Sequence, residues 1–343
     1  MLELNADNVV NYLRRVRVLT SREIASAHAL AWGVSNVVLR VDTPDRSLVV
    51  KQSRARLRTR EEWFSNLDRV FREAEVMRAL LHLLPDGTVP AVIFEDRENF
   101  AFGMSAVPSD HRVWKQSLLE GDVDLRIGRQ AGEILGMIHS ATLGRTDLAQ
   151  ALDDREVFVQ LRIEPFYWRL RPRHEELAES IDAIVDGMLR TRLCVTHADF
   201  SPKNLLVHSE GITLVDYETG HWGDPAFDLG FFLSHLILKA IRSDSNRSRF
   251  FDLTRSFWDC YRDQLRPILR STSSFRLDEL TRRAIGHLAL CALARIDGTS
   301  PVDYLTDEPK RDAVRRLSRR LLQESPGCWE TVLETVHESI DGK

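Results

Sequence analysis

The pattern of apolar and polar positions divides the chain into a strand-bearing first third and a helical remainder. Residues 8–19 and 21–31 read as a helical lead-in. Val37-Val38-Leu39-Arg40-Val41 and Ser47-Leu48-Val49-Val50-Lys51 then read as strands, and the turn-forming residues Asp42-Thr43-Pro44-Asp45 between them predict a hairpin. From Leu67 the apolar positions Val70, Phe71, Ala74, Met77, Leu80, Leu81 and Leu84 recur at helical spacing and stop at Pro85-Asp86-Gly87, which predicts one amphipathic helix. Ala91-Val92-Ile93-Phe94 and Phe100-Ala101-Phe102-Gly103-Met104 read as two more strands around the charged turn Glu95-Asp96-Arg97-Glu98-Asn99.

After about Pro108 the texture changes to long helical patterns. Ile127, Ala131, Ile134, Leu135 and Ile138 share one face, and two more helices are expected before Arg190. Short strands are expected at Leu193-Cys194-Val195, Leu205-Leu206-Val207 and Ile212-Thr213-Leu214-Val215, and everything beyond Ala226 reads as helix. The shift predicts an α+β protein of two lobes, residues 1–107 forming a small β-rich unit and 108–343 a larger, mainly helical one.

With 343 residues, 43% of them hydrophobic, the chain can bury a large core. A net charge of -4, from 47 basic and 51 acidic residues, gives no reason to expect a nucleic acid or an anionic membrane as partner. A small molecule fits better. Cys194, Cys260, Cys291 and Cys328 are too scattered for a zinc site or a disulfide framework, so reduced, buried thiols are expected. The first residues lack the basic start and apolar run of a secretion signal, and no apolar stretch reaches the ~18 residues of a membrane span. A cytoplasmic protein is the expectation, its oligomeric state open and a homodimer among the options.

Candidate chemistry concentrates in His197-Ala198-Asp199-Phe200-Ser201-Pro202-Lys203-Asn204 and, after the next two strands, in Asp216-Tyr217-Glu218. An Asp and an Asn at this spacing, with a second Asp on a following strand-turn, form the set that phosphoryl transfer needs: a base for a hydroxyl proton and hard oxygen ligands for Mg²⁺. Asp199 is thus the candidate catalytic base, and Asn204 and Asp216 are candidate metal ligands. A short match of this kind recurs by chance; its place between two strands is what gives it weight. Lys51 at a strand end would be unremarkable alone. Glu73 on the following helix supplies the partner that would hold it against nucleotide phosphates, and is preferred to Glu75 because it borders the apolar face. Gly33-Val34-Ser35-Asn36 opens the hairpin, and its turn, with Ser35 and Asn36, is a candidate phosphate cap despite the absence of G-x-G-x-x-G. Met104-Ser105-Ala106-Val107 leaves the last strand of the first lobe; main-chain groups at Ser105 and Val107 are candidates for pairing with adenine.

Together these residues resemble the aminoglycoside phosphotransferase and choline kinase family of small-molecule kinases, over roughly residues 30–235 by motif context. The resemblance implies a protein-kinase-like fold, ATP and Mg²⁺ as cofactors, and a small-molecule hydroxyl as phosphoryl acceptor. In Trp222-Gly223-Asp224-Pro225-Ala226-Phe227-Asp228 it implies that Asp228 steadies the catalytic loop, as does His197. Glu62-Trp63-Phe64-Ser65-Asn66 is similar to the tryptophan-containing loop of methylthioribose kinases, and Asp216-Tyr217-Glu218 to their Asp-x-Glu metal motif. Trp63 and Glu218 therefore become candidate substrate or second-metal contacts. The departures are that no Pro follows Trp63, that a basic run, Arg54-Ala55-Arg56-Leu57-Arg58-Thr59-Arg60, follows Lys51, and that Phe200-Ser201-Pro202-Lys203 occupies the catalytic loop. The run reads as a solvated face.

The expected activity is ATP-dependent phosphorylation of a sugar-like metabolite. An aminoglycoside acceptor would call for a carboxylate-rich pocket, whereas basic residues are at least as frequent as acidic ones from residue 232 onward. Arg295, in Arg295-Ile296-Asp297-Gly298, is a further candidate substrate contact beside the simpler reading of a helix stop at Gly298. The alternative from another class is a non-catalytic nucleotide-binding module; such modules tend to lose the lysine, the base or a metal ligand, and none is missing.

Overall fold

The computed structural model describes residues 1–30, 36–54, 66–271 and 275–342, with backbone alone at 270 and 271. Helix α1 (Val9–Arg15) precedes strands β1 (Ser26–Ala29), β2 (Asn36–Asp42) and β3 (Ser47–Ser53), helix α2 (Arg69–Leu81), and strands β4 (Val92–Asp96) and β5 (Ala101–Ser105). The five strands form one antiparallel sheet in the order β1-β2-β3-β5-β4. Central β3 is covered on both faces, and its period of two sorts its side chains. Leu48 and Val50 join a cluster with Val9, Tyr12 and Leu13 of α1, while Val49 joins Val70, Phe71, Ala74 and Met77 of α2. Lys51 shares the parity of Val49, so the pleat turns it toward α2.

The helical lead-in over 21–31 is corrected. Residues 26–29 are strand β1, paired Ser26 to Asp42 and Ala29 to Leu39. The alanines there favour helix locally, but the open edge of β2 offers a ladder, and tertiary pairing decides. The first expected helix is shorter than 8–19, ending at Arg15.

The larger lobe begins with β6 (Arg112–Val113), α3 (Trp114–Glu120) and α4 (Leu125–Thr142), followed by short helices α5 (Thr146–Ala151) and α6 (Glu156–Phe158). A π-helix spans Val159–Trp168 and a 3₁₀ turn Glu175–Leu177 before α7 (Ala178–Arg190), so the segment is more broken than the two helices expected. Strands β7 (Cys194–Thr196), β8 (Leu205–His208), β9 (Gly211–Leu214) and β10 (His221–Gly223) form two small sheets, β10-β7 and β6-β8-β9. The chain ends in α8 (Pro225–Arg242), α9 (Arg247–Ser271), α10 (Leu277–Asp297), α11 (Glu308–Glu324) and α12 (Trp329–Asp341). The sequence reading lacked β6 and β10, which are too short to carry a period. Of the cysteines, Cys194 and Cys291 are buried, but Cys328 is exposed; all four are free.

Helix α8 carries the catalytic-loop supports. Asp224 caps it, accepting from Ala226 N at 3.0 Å, and Pro225 sits at its first turn. Helix α4 meets α9 along glycines: a Cβ on Gly132 would lie 2.2 Å from the Phe257 carbonyl oxygen. Gly132→Ala, although it raises helix propensity, is therefore expected to destabilise the protein by about 2 kcal/mol, read as a lower urea midpoint, because backbone rather than a flexible side chain must yield.

Candidate functional site

A cavity of about 910 Å³ lies between the sheet and the helical lobe. Its walls include Asn36 of β2, Lys51 of β3, Asp199 and Asn204 of the loop between β7 and β8, and Asp216 after β9.

On the sheet side Lys51 Nζ donates to Glu73 Oε1 at 2.6 Å and to Asp216 Oδ1 at 3.1 Å. Glu73 is fully buried on α2, whereas Glu75 is exposed and pairs with Arg72, which decides between the two. Burial works to lower the Lys51 ammonium, but Glu73 and Asp216 outweigh it and raise its pKa far above the ordinary lysine value. Burial pushes the Glu73 carboxyl up, and Lys51 opposes the push. For Asp216 burial acts upward as well, yet Lys51 and Lys203 hold the carboxyl well below the usual range. Asp216 therefore stays an anion with oxygen to offer.

On the loop side Asn204 Nδ2 donates to the Asp199 carboxylate at 2.8 Å and to the Asp199 carbonyl at 2.9 Å, leaving its Oδ1 end for another partner. The Asp199 carboxylate also lies 2.8 Å from Arg162 Nη2 and 2.7 Å from Lys203 Nζ. Ala198 and Asp216 both adopt left-handed backbone, with φ of 59° and 73°. That conformation costs a non-glycine residue free energy and persists only where its surroundings fix it. Asp228 does the fixing at Ala198: its carboxylate accepts from the backbone N–H groups of His197 at 2.8 Å and Ala198 at 2.7 Å. His139 Nε2 lies 3.2 Å from the same carboxylate. His197 Nδ1 accepts from Asp199 N at 3.2 Å.

The remaining sequence candidates fall differently. Asn36 and Glu218 both line the cavity and bond each other, Nδ2 to Oε2 at 2.9 Å, while Arg69 Nε stands 3.3 Å from Glu218. Glu218 is thus tied to β2 and α2. One carboxylate oxygen each from Glu73, Asp216 and Glu218 lie within 4.8 Å of one another. Val107 lines the cavity, but Ser105 is not among its walls: its N–H donates to Ala91 O at 2.9 Å and its Oγ accepts from Ala91 N at 2.9 Å. Arg295 lines the cavity from the end of α10, and the helix stops at Gly298 as the simpler reading of that segment expected. Ser35 and Trp63, with the basic run from residue 55, lie outside the described residues.

Sequence reasoning missed Arg162, which reaches Asp199 from the π-helix and donates from Nε to Ala198 O at 2.7 Å. A single arginine among Leu161, Ile163 and Phe166 was the available signal. A π-helix interrupts regular α geometry and recurs at functional sites. Lys203 stood inside the motif without a role, and Arg69, buried on α2, was given none.

A model of the phosphotransferase enzyme family matches residues 26–263. The chain belongs to this family. Methylthioribose kinase of Bacillus velezensis is 24% identical over 341 residues, covering 85% of this chain and 84% of its own length. That of Pectobacterium carotovorum is 22% identical over 377 residues, with 94% of both chains covered. In fold, the phosphotransferase is similar to a choline kinase from Cryptosporidium parvum, with a TM-score of 0.55 and 13% identity over 98% of this chain and 97% of that one. The two-lobed α+β architecture is the kinase-like one that the motifs implied, and the enzyme is a small-molecule phosphotransferase. Among the described residues no helix is long and apolar enough to cross a membrane.

Proposed function

We propose that the phosphotransferase moves the γ-phosphoryl group of ATP to a hydroxyl of a sugar-like metabolite, with Asp199 as base. The observation that carries this reading is the convergence on one cavity of the Lys51–Glu73 pair, Asp216, Asn204 and Asp199 from four separate segments. On this reading the lobes divide at about residue 107, and ATP enters between them from the Val107 edge. We take the cytoplasm, where ATP is available, as its compartment.

The donor set fits a hard cation: the Asp216 carboxylate is held ionised, and Asn204 has its amide N–H bonded away. Asp216 and Asn204 would hold Mg²⁺. When bound, Mg²⁺ supplies positive charge opposite the oxygens of the transferring phosphoryl group. Lys51 steadies the α- and β-phosphates, and Glu73 keeps its ammonium on the cavity side of β3. Asp199 orients the acceptor hydroxyl and takes its proton, while Arg162 and Lys203 hold the carboxylate in place. Catalysis here is positioning and fixed charge. Glu218 braces the site through Asn36 and Arg69, a structural part that leaves Asp216 as the chief carboxylate ligand.

Methylthioribose, named in the relatives, is the first acceptor to try; relatives at this identity share the reaction more securely than the pocket. Titration calorimetry tests the nucleotide half. Wild-type protein is expected to bind ATP with Mg²⁺ present, and Lys51→Met to weaken binding by roughly 10-fold and slow turnover by about 100-fold. Absence of ATP binding by the wild type would overturn the reading.

A further inference from the structure

Beyond Asp199, the helical end of the cavity is built from cations and carries few carboxylates to answer them. Arg162 and Arg295 both lie over the ring of Phe166, each guanidinium carbon 5.8 Å from its centroid. Arg295 has no ion pair among the described residues, and its buried Nε has no hydrogen-bond partner there. His235, which lines the same wall and is 8% exposed, leaves Nε2 equally unpartnered among the described residues, and next to this wall the half-buried Tyr304 leaves its buried hydroxyl without a partner there. Behind them Lys239, 2% exposed, donates among the described residues only to the His235 carbonyl, at 3.1 Å, and rests over the Tyr304 ring at 5.1 Å. Lys115 lies over that ring too, at 5.7 Å.

The carboxylates facing this group do not balance it. Asp199 is already shared by Arg162 and Lys203, and Asp303, 3.9 Å from Lys115, is largely in solvent. Burial, then the charges of Lys115 and Arg295, hold the Lys239 ammonium down to about 7. Buried donors left without acceptors and repelling one another cost free energy, which a bound anion would recover. A guanidinium fork suits the two oxygens of a carboxylate or phosphate.

Resting on the phosphotransfer reading above, we propose that the acceptor carries an anionic group, a carboxylate or a phosphate monoester, seated at Arg295 on the wall it shares with His235, while its hydroxyl reaches Asp199. A neutral thio-sugar or a polycationic antibiotic leaves this wall unanswered. The anion site is separate from the nucleotide phosphates, which face Lys51 and Asp216 from the sheet side.

The test pairs acceptors of one skeleton that differ in charge: ribose with ribonate and ribose 5-phosphate, glycerol with glycerate, and methylthioribose as a further neutral member. ADP release is measured for each, and acceptor binding is measured calorimetrically with ADP saturating. The anionic members are expected to bind and to be the better acceptors; ribonate against ribose 5-phosphate tells carboxylate from phosphate. Arg295→Met should raise the KM of the anionic acceptor by on the order of 30-fold or more and leave the KM for ATP within about 2-fold. Arg295→Lys should recover part of the loss, and Lys239→Met should weaken the same acceptors should Arg295→Met prove unstable in a thermal melt. A neutral member as the best acceptor, indifferent to Arg295→Met, overturns the proposal and leaves the phosphotransferase reading intact. So does a change confined to ATP affinity, or an absence of binding by any anionic member. Arg295-dependent anion binding without ADP release from any acceptor supports the anion site and counts against the phosphotransfer reading instead.

Discussion

Replacing Asp199 by alanine is expected to lower kcat by about three orders of magnitude while nucleotide affinity stays within a factor of about two. The asymmetry follows from where the carboxylate sits. Asp199 touches Arg162, Lys203 and Asn204, whereas Lys51, which would meet the nucleotide phosphates, is held by Glu73 and Asp216. Arg162 keeps its hydrogen bonds to Ala198 O and Leu161 O in the variant, so the π-helix retains its anchor to the loop. Asn204 keeps its bond to the residue 199 carbonyl. What disappears is the acceptor for the substrate proton. Steady-state kinetics and ATP titration on one preparation separate the two quantities; turnover near that of the wild type would remove Asp199 from the mechanism.

The second large effect belongs to Asp228, which reacts with nothing. Asp228→Ala is expected to destabilise the protein by about 3–5 kcal/mol, because two buried N–H groups lose their charged acceptor and His139 loses its partner. Freed of that clamp, Ala198 can leave its left-handed conformation, and the loop carries Asp199 away with it. Turnover should fall by on the order of 100-fold even where the variant remains folded. Burial works to raise the Asp228 carboxyl, but the hydrogen bond and charge of His139 outweigh it and lower the pKa below that of a free aspartate. A carboxyl depressed in the folded state contributes stability above its unfolded-state pKa and loses it as pH falls through the folded value. The urea-midpoint gap between wild type and Asp228→Ala should therefore be full at neutral pH and shrink in acid. An unchanged midpoint at neutral pH would contradict the assignment.

The parts of this site legible in the sequence were those where local pattern and chemistry coincide. The apolar run Leu48-Val49-Val50, ended by Lys51, located β3, and the amphipathic helix then chose Glu73, whose burial separates it from Glu75. The 197–204 motif needed only its flanking strands. Arg162 escaped because its partner lies 36 residues away, and only the tertiary fold brings the π-helix over the loop. Glu218 became a candidate substrate or second-metal contact because Asp216-Tyr217-Glu218 is similar to the Asp-x-Glu motif of methylthioribose kinases. Its bonds to Asn36 and Arg69, from segments far apart in sequence, show where much of its charge is spent. Strand β1 was read as helix since local propensity favoured it, and the unpaired edge of β2 was invisible to a local reading.

The measurement that bears most directly on the central claim is a coupled ADP-release assay with ATP and Mg²⁺ against sugars, thio-sugars, sugar acids, sugar phosphates and amino alcohols, with Asp199→Ala as the blank. The account predicts ADP release stimulated by a hydroxyl-bearing acceptor in the wild type and absent in the variant, with the phosphorylated acceptor recovered by mass. Equal ADP release from wild type and variant, or ATP binding with no acceptor phosphorylated, would contradict it.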